Sequence, residues 1–380
     1  MMRLRRLLRD GLFGFARKFS RTDDAREMAA GTLTGLLDGR PRLACSNSAM
    51  DLDDLPYPDL GQPPRGIAAG DRDDVLFITA RFRSGSTLLW NLFRNLPGVT
   101  AYYEPFNERR WFDAAKRGER IDRTHKKVEE YWREYDGLEE LGRYYCESWI
   151  ERHLLMEAHS WAPDMKRYVE LLIERAPGRP VLQFNRVDFR LPWLRANFPR
   201  AKIVHLYRHP RDQWCSTLMG IDCFPKDADA AGFPRHDKFY LLNWARDLHF
   251  HFPFLANFRS RHPYETFYLI WRLSYLYGLV YGDYSVCFEK LVTDTERELV
   301  SLLRFAGVEQ SHAEQLQSLI ETPKLGQWRA YADHGWFTER ESRCEVEIRD
   351  FVARNCPRHD SLCLEQLHAD WLQQEKACRV

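Results

Sequence analysis

The chain lacks any C-x-x-C pair. Its nine cysteines are odd in number and scattered from residue 45 to residue 378, which argues against a disulfide framework or a structural zinc site and fits a reducing compartment. Net charge is almost absent too, with 56 basic residues against 55 acidic ones leaving +1. That excludes a global field drawing the protein onto nucleic acid, so any recognition of anions has to be local. Long apolar runs are also missing. The basic amphipathic start, MMRLRRLLRDGLFGFARKFSR, contains only GLFGFA, shorter than a signal-peptide core and far short of a membrane span. The expectation is a cytoplasmic protein, and weak peripheral contact with an anionic membrane is the furthest membrane role this segment supports. No internal repeat is present. DLDDLPYPD at 51–59 lacks the glycine and terminal glutamate of a calcium loop.

Aromatic residues are plentiful: 12 Trp, 17 Tyr and 23 Phe in 380 residues, enough to build a large core and to leave rings for stacking on a planar or sugar ligand. Residues 1–73 read as a helical extension and a linker rich in Pro, Gly and Asp. From 74 to about 340 strands and helices alternate, and 341–380 reads as a helical tail. VLFITA (75–80), RPVLQF (179–184), KIVHLY (202–207) and YSVCFEKL (284–291) read as strands, and VTAYYEP (99–105) as extended chain. Helices are expected at about 87–96, in LPWLRANF, from Pro210 to Gly220, and from Thr295, where Thr295 and Glu298 have capping-box spacing. Such alternation implies an α/β fold, a mostly parallel sheet covered on both faces, with ligands beyond the carboxyl ends of the strands. The stretches 107–165 and 219–275 interrupt it as helical inserts able to roof a site or simply to pack. THKKVEEYWREY (124–135) within the first reads as an exposed helix.

Two turns carry chemistry. RSGSTLL follows the first strand and opens a helix, so its amides and the helix dipole favour an anion. Ser86 and Thr87 add hydroxyls, Gly85 permits close approach, and Arg83 supplies a permanently charged fork. The first glycine and the lysine of a G-x-x-x-x-G-K-[ST] loop are missing, which disfavours an ATP-dependent small-molecule kinase. YRHPRDQWCS (207–216) likewise follows a strand, with Arg208 at its exit and Ser216 eight residues later, able to meet on a second phosphate.

The pair resembles the sulfotransferases that use 3′-phosphoadenosine 5′-phosphosulfate (PAPS). The resemblance covers roughly 74–340 and includes CFEKLVTDTERELVSLLRFAGV (287–308) and KLGQWRAYADHGWFT (324–338), the latter similar to the family's cofactor-covering loop with Gly-x-Trp-Lys. It implies a P-loop-like three-layer α/β/α domain. By the same resemblance Arg83, Ser84, Gly85, Ser86, Thr87 and Leu88 grip the 5′-phosphosulfate, Arg208 and Ser216 the 3′-phosphate, and Lys324, Trp328 and Arg329 cover the nucleotide. Arg83 replaces the lysine of the cytosolic subgroup, and FNRVDF (184–189) lacks that subgroup's histidine. The chain looks closer to the bacterial, carbohydrate and tyrosylprotein sulfotransferases, which use a carboxylate base. Glu104, 21 residues after Arg83, then stands where the base is found, Arg186 where a catalytic lysine follows Asn, and Phe288 where Tyr is commoner. The reaction implied by the resemblance is sulfuryl transfer from PAPS to a hydroxyl of a carbohydrate, glycolipid or other small acceptor, with no metal and no nucleic-acid partner.

Structural readings stand beside these roles. Glu104 is also readable as a surface carboxylate paired with Arg109 or Arg110, Asp188 is a rival base, and Arg186 is a candidate ion-pair partner for Asp188. Lys324 and Arg329 are readable as solvated charges. His249 and His251 lack a third metal ligand at suitable spacing. A catalytically silent nucleotide-binding module completes the alternatives.

Overall fold

The computed structural model describes residues 72–117, 128, 130–321 and 323–355; the expectations for the amino-terminal extension, the linker to residue 71 and the chain beyond 355 lie outside them. The strands are β1 (Leu76–Ala80), β2 (Val99–Tyr103), β3 (Arg179–Phe184), β4 (Lys202–Tyr207) and β5 (Tyr284–Cys287). They form one sheet in the order β2-β3-β1-β4-β5 with every pairing parallel. β1 is apolar apart from Thr79 and is buried at all five positions, because helices cover both faces of such a sheet. Phe77 meets Phe184 and Phe198 edge-on at centroid distances of 6.0 and 5.5 Å, and truncating a ring packed this way costs about 3–5 kcal/mol.

The helices, in chain order, are α1 (Ser86–Arg94), α2 (Pro163–Arg175), α3 (Leu191–Asn197), α4 (Pro210–Thr217), α5 (Leu241–Leu248), α6 (Pro263–Tyr281), α7 (Phe288–Thr293), α8 (Thr295–Ala306), α9 (Ala313–Gln317), α10 (Trp328–Tyr331) and α11 (His334–Asn355). Three sequence expectations are corrected. YSVCFEKL is a strand only through Cys287, and its second half is α7. The capping box expected at Thr295 does not form: Asp294 is the N-cap, without a side-chain bond. A reciprocal cap forms at α6 instead, where His262 Nδ1 accepts from the Tyr264 N–H and Glu265 Oε2 from the His262 N–H, both at 3.1 Å. The described part of THKKVEEYWREY is no exposed helix, for Tyr131 and Tyr135 are buried and only a 3-10 turn at Arg133–Tyr135 is present.

The first insert is tied to the turn that follows β3. Arg190, fully buried, donates to the carbonyls of Trp149, Arg152 and Arg186, each at 2.9 Å. The 340 boundary falls inside α11, which packs Phe337, Cys344 and Ile348 into a second apolar cluster with α5 and α6 and sets Glu341 against Arg211 at 2.6 Å. No helix among the described residues is long and apolar enough to cross a membrane.

Candidate active site

The turn after β1 is shaped by two left-handed residues, Arg83 at φ 64° and Gly85 at φ 96°. Only glycine fits the second, since a Cβ there would collide with the ring of Phe288. Ser86, Thr87 and Leu88 open α1 and line a cavity of about 690 Å³, together with Arg83 and Gly85. Thr87 Oγ1 is hydrogen-bonded to Tyr103 Oη at 2.9 Å. Ser84 is not brought to the cavity: it is fully buried, and its hydroxyl donates to the Arg81 carbonyl at 2.7 Å, so its side chain closes the turn.

The two loops read as separate anion sites abut. Arg83 Nε donates to Ser216 Oγ at 3.1 Å, and Arg208 Nη1 donates to the carbonyl of Arg83 at 3.0 Å. The Arg208 guanidinium lies 4.8 Å over the Phe288 ring and 4.0 Å from Glu289. Burial depresses the Arg208 pKa below its ordinary value, opposed by the carboxylates of Glu289 and Asp212. With a reference value so far above neutrality the group stays cationic, a buried charge suited to a polyanion.

Glu104 follows β2 with φ 40° and is buried. Its Oε2 accepts from Asn107 Nδ2 at 2.5 Å and from Arg186 Nη1 at 3.1 Å, and its Oε1 accepts from Asn185 Nδ2. Arg186 also donates to Glu108 Oε2 at 2.7 Å. Burial works against the Arg186 charge, but Glu104 and Glu108 outweigh it and hold the pKa above its ordinary value. The surface pairing considered for Glu104 is therefore replaced by a buried one, while Arg110 reaches Glu147 at 3.2 Å instead. Asp188 is not among the residues lining the cavity. It accepts from Thr79 at 3.0 Å and pairs with Arg81 at 3.3 Å, not with Arg186.

Both inserts reach the cavity, the first through Asn107, Glu108 and Trp111, the second through Lys238, Phe239 and Tyr240. Tyr240 is left-handed at φ 61°, and Asp237 holds the turn by accepting from the N–H groups of Leu241 at 2.9 Å and Leu242 at 2.8 Å. Thus Arg83, Glu104 and Tyr240, three non-glycine residues with positive φ, all line one cavity; such conformations persist where the surroundings enforce them, and they concentrate at functional sites. Lys324, Trp328 and Arg329 are not brought to it. Lys324 and Arg329 are exposed, and Trp328 is buried against Phe337 at 5.6 Å; Pro323 and Gln327 line the wall instead. His249 Nδ1 is bonded to the Arg246 carbonyl at 2.5 Å, and no group of three metal-ligating side chains occurs among the described residues. Sequence reasoning missed Asn107, Glu108, Asn185, Tyr240 and Glu289; Asn185 alone carried a signal, being the Asn before Arg186.

A parallel sheet with a cationic cleft at its carboxyl edge, opened by a strand–turn–helix loop, defines an anion-binding α/β protein of the nucleotide-binding kind. Residues 75–269, just over half of the chain, match the family model described as the Sulfotransferase family. The chain belongs to that family. Among solved structures it is similar to the sulfotransferase domain from the Synechococcus PCC 7002 olefin synthase, at 19% identity and TM-score 0.32 over 70% of this chain and 82% of that one. It is also similar to a sulfotransferase from Alicyclobacillus acidocaldarius, at 16% identity and TM-score 0.36 over 73% of this chain and 94% of that one. No curated protein matches.

Proposed function

We propose that the protein moves a sulfuryl group from PAPS to a hydroxyl of a carbohydrate, glycolipid or other small acceptor. The observation that carries this reading is the placement of a buried carboxylate, Glu104, in the same cavity as the Arg83–Leu88 turn and the Arg208–Ser216 pair. In the scheme the turn holds the 5′-phosphosulfate and Arg208 with Ser216 the 3′-phosphate. The acceptor oxygen attacks sulfur in line, the bond from sulfur to the 5′-phosphate oxygen breaks, and the acceptor proton passes to Glu104. 3′,5′-Adenosine bisphosphate (PAP) departs with the negative charge, which Arg83, Arg186 and the amides after Gly85 stabilise; preorganised donors of this kind are often the largest catalytic term. Alignment of donor and acceptor supplies much of the rest.

Glu104 is preferred over Asp188 as base because Asp188 is spent on Thr79 and Arg81, away from the cavity wall. Three donors from Asn107, Asn185 and Arg186 fix the Glu104 carboxylate in one orientation, which suits a general base that must meet an incoming hydroxyl. The test is incubation with sulfur-labelled PAPS and a fractionated extract offering glycans, glycolipids and small alcohols. A labelled product with release of PAP is expected. Label that stays on the donor with every fraction, or protein that melts at a higher temperature with ADP but not with PAP, overturns the reading.

A further inference from the structure

The helix that carries Ser216 also fastens a segment that lines the cavity. Asp212, buried in the first turn of α4, accepts two backbone amides from the segment after α9: Oδ2 from the Gly326 N–H at 2.7 Å and Oδ1 from the Trp328 N–H at 3.2 Å. Leu319, Glu321, Pro323 and Gln327 of that segment line the cavity. Between Gln317 and Trp328 the described residues contain no helix or strand; Leu319, Ile320 and Leu325 pack against the core, and Asp212 fixes the end that carries Gly326 and Trp328.

The grip has several parts. The Trp328 indole lies parallel to the His209 ring at 6.2 Å and 3°, and the Arg211 guanidinium stands 4.9 Å over it. His209 is neutral there, its pKa pushed down to about 3 by burial and by the neighbouring Arg211 and Arg208. Gly326 turns the chain at φ 73°. A carboxylate receiving two amides is a charge-assisted contact, and losing it would leave two amides without partners, a cost beyond that of the bonds themselves. Asp212 stands four positions after Arg208 and four before Ser216. The strand exit and helix read as holding the 3′-phosphate therefore also hold a second segment of the cavity lining.

We propose that Asp212 is a positioning residue that latches residues 323–328 to α4 and so forms the donor pocket before the nucleotide arrives. A pocket ordered in advance spares the ligand the cost of ordering it. The donor part of the proposal rests on the PAPS reading above, whereas the latch itself is testable without any nucleotide.

The experiment compares full-length wild type, Asp212→Asn and Asp212→Ala by limited proteolysis and by calorimetric titration with PAP. Without nucleotide, cleavage within 318–333 is expected to be about tenfold or more faster in Asp212→Ala, intermediate in Asp212→Asn, and unchanged elsewhere in the chain. PAP is expected to suppress that cleavage in all three, with its dissociation constant raised about 10- to 100-fold by Asp212→Ala and less by Asp212→Asn. Equal local cleavage rates in the three proteins overturn the latch. Faster local cleavage with unchanged PAP affinity overturns its part in donor binding. Wild type that binds no PAP sinks the donor reading and leaves the cleavage rates to decide the latch. Should Asp212→Ala lose its folded circular dichroism spectrum, the isosteric Asp212→Asn decides both points.

Discussion

The cavity has two unlike halves. One is built on strand ends: Arg83, Glu104, Arg186 and Arg208 each stand within a few residues of the carboxyl end of β1, β2, β3 or β4. These side chains are bonded to one another or to one another's backbone, as Arg186 is to Glu104 and Arg208 to Arg83. The other half comes from the inserts and the 319–327 segment, with Glu108 and Lys238 exposed and Phe239 and Tyr240 half-buried. Asp237 anchors the Tyr240 turn locally, and Asp212, distant in sequence, anchors the segment that ends at Trp328. A sheet holds its strand ends more rigidly than a turn holds its tip. On the proposed function the strand-end half is suited to chemistry and donor binding and the inserts to choosing the acceptor, while the segment held by Asp212 belongs with the donor pocket.

The largest effect that would break this division is expected at Glu104. Glu104→Gln keeps the size and two of the acceptor positions but cannot take a proton, so kcat should fall about 100- to 10,000-fold, with PAP affinity, read by titration, within about threefold of wild type. Loss of PAP binding instead would make Glu104 part of the donor site. Next comes Arg208→Ala, expected to weaken PAP binding by about 30-fold or more, because it removes a buried cation from the cavity wall and the positive charge beside Glu289. Unchanged PAP affinity would move the 3′-phosphate elsewhere. Smaller still is Tyr240→Phe, which removes only a hydroxyl from the insert half. It is expected to raise the acceptor KM about three- to tenfold while the donor KM stays put; an equal rise in both would erase the distinction between the halves.

The same division explains what could be read in advance. Arg83 to Leu88, Glu104, and Arg208 with Ser216 lie at fixed short distances after a buried strand, so the pattern of the chain places them at one edge of the sheet. Asn185 and Glu104 are 81 residues apart, Arg186 and Glu108 are 78 apart, and Gly326 and Asp212 are 114 apart. Nothing local announces such partners. Trp328 misleads for the same reason: its motif suggests a nucleotide contact, but the apolar cluster of Phe337 and α6 gives its indole a drier place. The Thr295 signal failed because Asp294 one residue earlier already stands at the helix start.

The smallest effect concerns stability and sharpens the contrast from the sheet side. His205 in β4 is buried, stacked on Tyr207 at 5.5 Å and bonded through Nδ1 to Ser285 at 3.2 Å. Burial depresses its pKa from 6.5 to about 3. A depressed value means that the folded state resists protonation more than the unfolded chain does. The stability this contributes is fully present above about pH 6.5 and is lost as pH falls towards 3, at up to ~1.4 kcal/mol per pH unit. Asp188 and Glu289, whose pKa values burial raises, act in the opposite sense from their ordinary values upward. The measure is therefore the difference between proteins: His205→Phe, which keeps a ring in the same stack, should lose less stability than wild type in urea titrations between pH 6.5 and 5.5, by about 1 kcal/mol or less. Tyr240→Phe should follow the wild-type slope. Identical slopes for all three would show that the acid sensitivity of the fold does not reside in the sheet.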